Sequence, residues 1–421
     1  MTDIASELIE NNLYVNLYNI NINTALIWAC RNRIPETALK LINNKSHVNV
    51  IDNYNNTPLI YACQNKMTEV ALKLIETGKS IPEQINNYNE TALILACQNN
   101  MSKVALKLIE TGNSKPEQND KYDNKTALIY ACENNMSKVA LKLIETSNSR
   151  PEQIDKYEKK NALIWSCKNR MSEVALKLIE TGESRPEHTD NYNNTALIYA
   201  CENRLSEVAL KLIKTYESRP EQINNYYNTA LIYACENRMS EVVLKLIETG
   251  KSIPEHIDDD NNTALIYACQ NKMTHVALKL IETGKSRPEQ INYNNNTALM
   301  YVCENNMTDV ALKLIETGDS IPEHIDYCKN IALIWACKNK MSEVVLKLIE
   351  TGKSIPEHID DDNNTALIYA CENRMSEIAL KLIETGKSIP EHINSNNNTA
   401  LMYASKNEMT DVILKLNMIN K

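Results

Sequence analysis

Residues 57–63 read Thr-Pro-Leu-Ile-Tyr-Ala-Cys, and close copies of this stretch return along the whole chain. Successive copies begin 33, 34, 35 and 35 residues apart, and every later interval is 34 residues. A fixed period of this length indicates an array of repeats in which each repeat packs against its neighbours. The twelve repeats begin at Thr24, Thr57, Thr91, Thr126, Asn161, Thr195, Thr229, Thr263, Thr297, Ile331, Thr365 and Thr399.

Each repeat predicts two short helices, with the opening residue taken as position 1. Thr at position 1 is a good N-cap, and positions 2–7 are apolar on every side, so the first helix should be covered all round. Ser or Thr at position 12 opens the second helix, and Gly at position 22 fits a left-handed cap at its end. Asn stands at position 9 in all repeats, where we expect the left-handed residue that closes the first helix.

The segment between one second helix and the next repeat is polar and rich in turn-forming residues. Residues 80–83 read Ser-Ile-Pro-Glu and match a capping box, with Glu three residues after Ser. This pattern predicts a short helical turn inside the loop.

Composition and charge restrict the class of protein. The chain has 421 residues, of which 43% are hydrophobic and 24% charged, as in an ordinary folded protein. Its net charge of −9 argues against nucleic acid or an anionic membrane as the main partner. The N-terminus does not resemble a signal peptide, and no apolar run approaches the roughly 18 to 20 residues needed to span a bilayer. We therefore expect an intracellular protein.

The repeated pattern Thr-Ala-Leu-Ile-x-Ala-Cys-x-Asn-x-Met-x-x-Val-Ala-Leu-Lys-Leu-Ile-Glu-Thr-Gly resembles the ankyrin repeat. Residues 48–59 resemble the hairpin loop and the Thr-Pro-Leu helix start that join two ankyrin repeats. The resemblance implies an all-α fold, an ankyrin-like solenoid of helix pairs that is elongated and curved. It also implies an N-terminal capping segment at residues 1–23 and twelve repeats of about 34 residues at 24–421, the last one truncated.

Departures from the ankyrin pattern concern the loops and the turn between the helices. The usual Gly of that turn is replaced by Arg, Lys or Asn, as at Arg204, and Pro is kept only at Pro58. Extra loop residues leave it open whether repeats 2 to 11 form the usual hairpin fingers. The whole array is similar to the expanded ankyrin arrays of giant, mimivirus-like DNA viruses that infect amoebae, with protozoan arrays as the alternative.

A search for catalytic chemistry yields no motif. The chain has no phosphate-binding loop, dinucleotide fingerprint or zinc-protease pair, so we predict that it is not an enzyme and needs no cofactor. Five His recur in a Pro-Glu-His turn, but no tight His/Cys cluster accompanies them, so we predict exposed loop residues and no metal. Eleven of the twelve Cys occupy position 7 and are expected to be small buried thiols. Met at position 11 is interpreted as core, with an adaptable binding surface as the alternative.

Aromatic residues at position 5 are the candidate partner-binding residues. In ankyrin arrays the first helices line the concave side, and Tyr and Trp are enriched at binding hot spots. The alternative is packing between successive first helices, and both hold if the rings pack while the hydroxyls stay exposed. Positions 8 and 10 vary between repeats, as selective recognition would require. The candidates are Tyr199, Tyr233, Tyr267, Tyr301, Glu202, Arg204, Glu236 and Arg238.

The sequence therefore predicts a monomeric, non-catalytic scaffold or adaptor in the host cytoplasm, which binds a protein partner through its concave face and loop tips. One alternative is a helical-repeat array that binds single-stranded RNA, which the acidic balance disfavours. The other alternative, implied by the resemblance to viral ankyrin proteins, is an adaptor that recruits substrates to a ubiquitin ligase.

Overall fold

The computed structural model describes residues 19–44, 46–146, 148–215 and 218–419, with side chains from residue 25 onward. The chain divides into two compact units, an N-terminal unit of residues 1–219 and a C-terminal unit of residues 220–421. Most of the predicted capping segment lies outside the described residues. Its last residues, 19–23, form the beginning of the first helix.

The N-terminal unit is a stack of helix pairs. Within this unit, successive first helices pack against one another, and so do successive second helices. The helices are α1 Asn19–Arg31, α2 Pro35–Asn43, α3 Pro58–Gln64, α4 Thr68–Glu76, α5 Ala92–Gln98, α6 Ser102–Glu110, α7 Ala127–Glu133, α8 Ser137–Ile144, α9 Ala162–Lys168, α10 Ser172–Thr181, α11 Ala196–Glu202 and α12 Ser206–Lys214.

The C-terminal unit repeats this arrangement, with odd-numbered first helices and even-numbered second helices in two parallel rows. The helices are α13 Ala230–Glu236, α14 Ser240–Glu248, α15 Ala264–Gln270, α16 Thr274–Glu282, α17 Ala298–Glu304, α18 Thr308–Thr317, α19 Ala332–Lys338, α20 Ser342–Glu350, α21 Ala366–Glu372, α22 Ser376–Glu384, α23 Ala400–Lys406 and α24 Thr410–Ile419.

The predicted all-α class is confirmed, because the described residues form 24 helices and only isolated β-bridges. The first helices are buried because they lie between neighbouring first helices and their own second helices. Leu93, Ala96 and Cys97 of α5 are fully buried, and so is Leu108 on the apolar side of α6. The Met at position 11 is buried as well, so its interpretation as core is confirmed for residues such as Met101.

Capping follows the sequence at the start of the first helix and at the end of the second helix. The Thr57 hydroxyl accepts a hydrogen bond from the Ile60 amide at 3.2 Å, as an N-cap should. Ile331 offers no such bond at the start of α19, since it has no side-chain oxygen. Gly182 ends α10 with a φ of 69°, the left-handed cap that position 22 predicts.

The predicted left-handed role of the Asn at position 9 is wrong. Asn99 has a φ of −92°, whereas Asn100, at position 10, has a φ of 58°. Position 10 is the place of the usual ankyrin Gly, so Arg, Lys, Asn or Glu adopts the left-handed conformation there. The Asn99 amide instead donates hydrogen bonds to the carbonyls of Cys63 and Gln64, at 3.1 and 3.3 Å, in the preceding repeat. Asn at this position therefore ties adjacent first helices together.

The loops form hairpin turns, which answers the question left open for repeats 2 to 11. The backbone amide of Asp190 donates to the Asn194 carbonyl at 3.0 Å, and equivalent bonds close the other hairpins. The predicted short helical turn at Ser80–Glu83 is present only as one turn and not as a helix. This turn is closed by the Gln84 amide on the Ile81 carbonyl at 3.2 Å.

Candidate partner-binding surfaces

The aromatic residues at position 5 are built into the stack. In the N-terminal unit the Tyr199 ring is buried, and its hydroxyl donates to Asp190 Oδ2 at 2.8 Å. In the C-terminal unit the Tyr267 hydroxyl donates to Asp258 Oδ2 at 2.8 Å, and Tyr301 is buried. Burial, reinforced by the bonded carboxylate, raises the pKa of Tyr199 and of Tyr267. At these two residues the hydroxyl is therefore held by a carboxylate within the fold.

At several repeats the position-5 Tyr hydroxyl bonds to the Asp or Asn at the start of the preceding hairpin, position 30, a residue that sequence reasoning missed. Besides binding Tyr199, Asp190 accepts the backbone amides of Tyr192 and Asn194, both at 2.9 Å. Asn292 fills the same place in the C-terminal unit and donates to the Tyr301 hydroxyl at 3.3 Å. One buried side chain thus shapes the hairpin and fastens it to the first helix. The signal was visible as Asp or Asn at this position in every hairpin.

Positions 8 and 10 lie at the exposed end of nearly every first helix. Glu202 and Arg204 are exposed in the N-terminal unit, and Glu236 and Arg238 are exposed in the C-terminal unit. Arg238 has a φ of 59°, and its Nε donates to Asn271 Oδ1 at 3.0 Å in the next repeat. Arg at position 10 therefore supports the stack while its guanidinium edge remains accessible. Tyr233 lies on the same helix as Glu236 and is half-buried.

The recurrent His joins two adjacent loops by a hydrogen bond. His188 Nε2 lies 2.6 Å from the Lys159 carbonyl, and His324 Nε2 lies 3.0 Å from the Asn295 carbonyl. Gln153 occupies the same position 28 and donates to the Asn124 carbonyl at 3.2 Å. Gln and His are thus interchangeable donors, which identifies the His as structural. No group of three potential metal ligands occurs within the described part of the chain.

The Cys at position 7 are buried thiols, as predicted. Burial raises the pKa of Cys30 and of Cys167 to about 12, far from the range of a reactive thiolate. Cys328, in a hairpin of the C-terminal unit, is exposed. The ladder therefore serves packing.

Exposed aromatic residues lie at hairpin tips of both units, which sequence reasoning also missed, and the most exposed are Tyr293 and Tyr327 of the C-terminal unit, each 72% exposed. In the N-terminal unit every hairpin carries Tyr at its tip, and Tyr122 and Tyr157 are 56% and 59% exposed. The ring centroids of Tyr88 and Tyr122 lie 5.7 Å apart. Adjacent tips are also joined through the backbone, as where the Lys121 amide donates to the Tyr88 carbonyl at 2.9 Å. The tips thus form an ordered surface of large amphipathic side chains.

Two neighbouring hairpins of the N-terminal unit, residues 120–126 and 155–161, are one residue longer than the others and rich in Lys. The last Lys of the second one, Lys160, has a fully buried side chain, and its Nζ lies 3.3 Å from Asp190 Oδ2 and also contacts Glu158. The same Nζ lies 5.1 Å from the centroid of the Trp165 ring. The residue directly before the next repeat is Asn in most other hairpins, so this ion pair is a local addition to the packing that the repeats share.

Comparison with known proteins agrees with this geometry. The family model described as Ankyrin repeats (3 copies) matches residues 1–85, 77–155, 143–222, 163–256, 210–292, 253–325 and 333–418. The chain therefore belongs to the ankyrin-repeat family, whose members are generally protein–protein interaction modules and typically non-catalytic. A search of the curated proteins found no match. Among the described helices, none is both long and apolar enough to cross a membrane.

Proposed function

We propose that the chain is a non-catalytic scaffold or adaptor that binds a protein partner through the exposed ends of its first helices and through its hairpin tips. The observation that carries the proposal is the contrast between uniform buried positions and varied exposed ones. Positions 3, 6 and 7 repeat almost unchanged, whereas position 8 is Glu, Gln, Lys or Arg and position 10 is Arg, Lys, Asn or Glu along the array. Such variation on a uniform buried core gives different stretches of the array different contact chemistry.

The candidate residues enter this proposal in two roles. Glu202 and Arg204, and separately Glu236 and Arg238, present charged atoms that a partner can reach. The aromatic candidates do not contact the partner in this proposal but hold the first helix and its hairpin in position. They are Tyr199, Tyr233, Tyr267 and Tyr301.

We further infer that the protein acts as a monomer in the cytoplasm of a host cell, with an origin in a giant virus of amoebae kept as a prediction. All twelve cysteines are free thiols, which supports a reducing compartment.

The test is a tagged pulldown from amoebal lysate, read by mass spectrometry. A face variant with Glu202→Lys and Glu236→Lys reverses two exposed charges, and should lose a partner that the wild type captures. A matched control with Glu110→Lys and Glu282→Lys reverses exposed charges on second helices and should keep that partner. Equal capture by all three proteins would contradict a role for the first-helix ends, and reproducible capture of RNA alone would favour the RNA-binding alternative.

A further inference from the structure

A cavity of about 470 Å³ opens between the two Lys-rich hairpins of the N-terminal unit. Its walls include Lys121, Lys156, Lys159 and His188, with Asn124 between them. The three Lys side chains are exposed around an indentation large enough for one or two carboxylate side chains. This concentration of positive charge stands out in a chain whose net charge is −9.

The ammonium groups of the three cavity Lys residues have no acidic partner among the described residues. Among the described residues, no carboxylate lies within ion-pair distance of the Nζ of Lys121, Lys156 or Lys159, whereas the buried Lys160 has two acidic partners. The one carboxylate of the wall, Asp155, already accepts the backbone amides of Glu158 and Lys160, at 2.6 and 2.9 Å. The cavity therefore offers positive charge to a ligand.

Exposed aromatic rings flank the positive charge. Tyr122 follows Lys121 in the chain, Tyr157 follows Lys156, and both rings are more than half exposed. Lys156 Nζ lies 5.3 Å from the centroid of the Tyr157 ring. Ammonium groups alternating with Tyr rings suit a ligand that presents carboxylates next to apolar side chains.

We propose that these two hairpins bind an acidic segment of the protein partner, an inference that rests on the proposed function and assigns the chemistry of the partner. Its carboxylates occupy the cavity against the three Lys ammonium groups, and its apolar side chains lie against Tyr122 and Tyr157. Charge complementarity of this kind fixes register and accelerates association.

The extent of the positive surface favours a peptide over single-stranded nucleic acid. Lys occurs at position 31 only in these two hairpins, and the flanking tips carry Asn87 and Asn191 there. A nucleic acid needs a basic groove that follows its backbone over roughly 4 to 16 nucleotides. A positive surface limited to two tips instead suits a few carboxylates close together.

The test measures fluorescence anisotropy of a labelled peptide of alternating Glu and Leu, about twelve residues long, which spans roughly 40 Å when extended. The full-length protein is compared with a cavity variant, Lys121→Gln, Lys156→Gln and Lys159→Gln. A matched control, Lys103→Gln, Lys138→Gln and Lys177→Gln, removes the same charge from exposed sites on the second helices of repeats 3, 4 and 5. Thermal unfolding of all three proteins establishes that they are equally folded.

We expect the cavity variant to bind about tenfold more weakly than the wild type, the control to bind within about twofold, and salt to weaken binding. No binding to the wild type, or equal loss in both variants, would overturn the proposal. Tighter binding of an RNA oligonucleotide of the same length would also overturn it, by showing a nucleic-acid surface. If the wild type does not bind the peptide, but capture of the partner in the pulldown still depends on Glu202 and Glu236, only this inference fails and the proposed function stands.

Discussion

The two units have the same buried residues and hydrogen bonds in their repeats, and they differ at their hairpin tips. In both, a buried Asp or Asn at position 30 shapes the hairpin, as Asp190 does in the N-terminal unit and Asp258 in the C-terminal unit. The N-terminal tips carry Tyr throughout, with Lys in two lengthened hairpins. The C-terminal tips carry exposed Tyr only in some hairpins, as at Tyr293 and Tyr327, and acidic residues in others, such as 258–263. Chemistry therefore changes where side chains are exposed and stays constant where they pack.

The largest expected difference between the units concerns the buried ion pair of Lys160. Asn occurs naturally at position 30, so Asp258→Asn should cost less than about 0.5 kcal/mol in the free energy of unfolding. Asp190→Asn should cost about 2 kcal/mol, because it removes one of the two acidic partners of a fully buried ammonium group. Chemical denaturation of the full-length variants measures both values.

The matched control for this prediction is the double variant Asp190→Asn with Lys160→Asn. It restores the uncharged pair that other hairpins contain and should recover most of the lost stability. Equal costs for Asp190→Asn and Asp258→Asn would show that the Lys160 ion pair contributes nothing to the difference between the units.

The Asn at position 9 should be equally important in both units. Asn134 donates to the carbonyls of Cys97 and Gln98, and Asn305 donates to those of Cys269 and Gln270. Replacing either Asn by Ala should cost about 1 to 2 kcal/mol, because it leaves carbonyls at a helix end without their donor. Replacement of the exposed Gln98 by Ala is the control. A loss of stability in only one of the two units would contradict the view that both units are held together in the same way.

Replacing Glu90, which lies where most hairpins have Asn, is expected to increase the free energy of unfolding by a smaller amount. Burial, with help from Asp120 and Asp123, raises the pKa of Glu90 despite a lowering bond from Asn86. A raised carboxyl pKa means that stability rises as pH falls through it, so the charged form weakens the fold at pH 7. Glu90→Gln should therefore stabilise by about 0.5 kcal/mol at pH 7. Denaturation at pH 7 and pH 4 should show this gain shrinking in acid, and a gain that grows in acid would refute it.

Thiol labelling tests whether a hairpin tip of the C-terminal unit is as accessible as the structure shows. Cys328 occupies, in the C-terminal unit, the tip position that Tyr occupies in the N-terminal unit, and it is the exposed thiol among eleven buried ones. Ellman's reagent should therefore modify one thiol in the native protein and all twelve after denaturation. Rapid reaction of further thiols in the native state would mean that the Cys ladder is accessible. Cys328→Ser is the control and should abolish native labelling.

Features with a local cause could be predicted from the sequence, and those with a partner in another repeat could not. Thr57 caps the helix that it begins, and Gly182 ends its own helix, so neighbouring residues sufficed. Asn99 and His188 form hydrogen bonds to backbone carbonyls of the preceding repeat. The repetition of these residues along the chain showed that they matter, but it could not show which carbonyl accepts the bond. The position-5 Tyr was placed correctly on a first helix, but its hydroxyl partner lies in a loop whose hairpin form the sequence left open.

The central claim is that position-5 aromatics build the frame while the tips and helix ends recognise the partner. It is tested most directly by comparing two variants in the pulldown. One carries Tyr199→Phe and Tyr267→Phe, which keeps both rings and removes their hydroxyls, and the other carries Tyr122→Ser and Tyr157→Ser at the tips. We predict that the Phe variant keeps the partner at slightly lower stability, whereas the tip variant loses it at unchanged stability. Loss of the partner by the Phe variant alone would contradict the account.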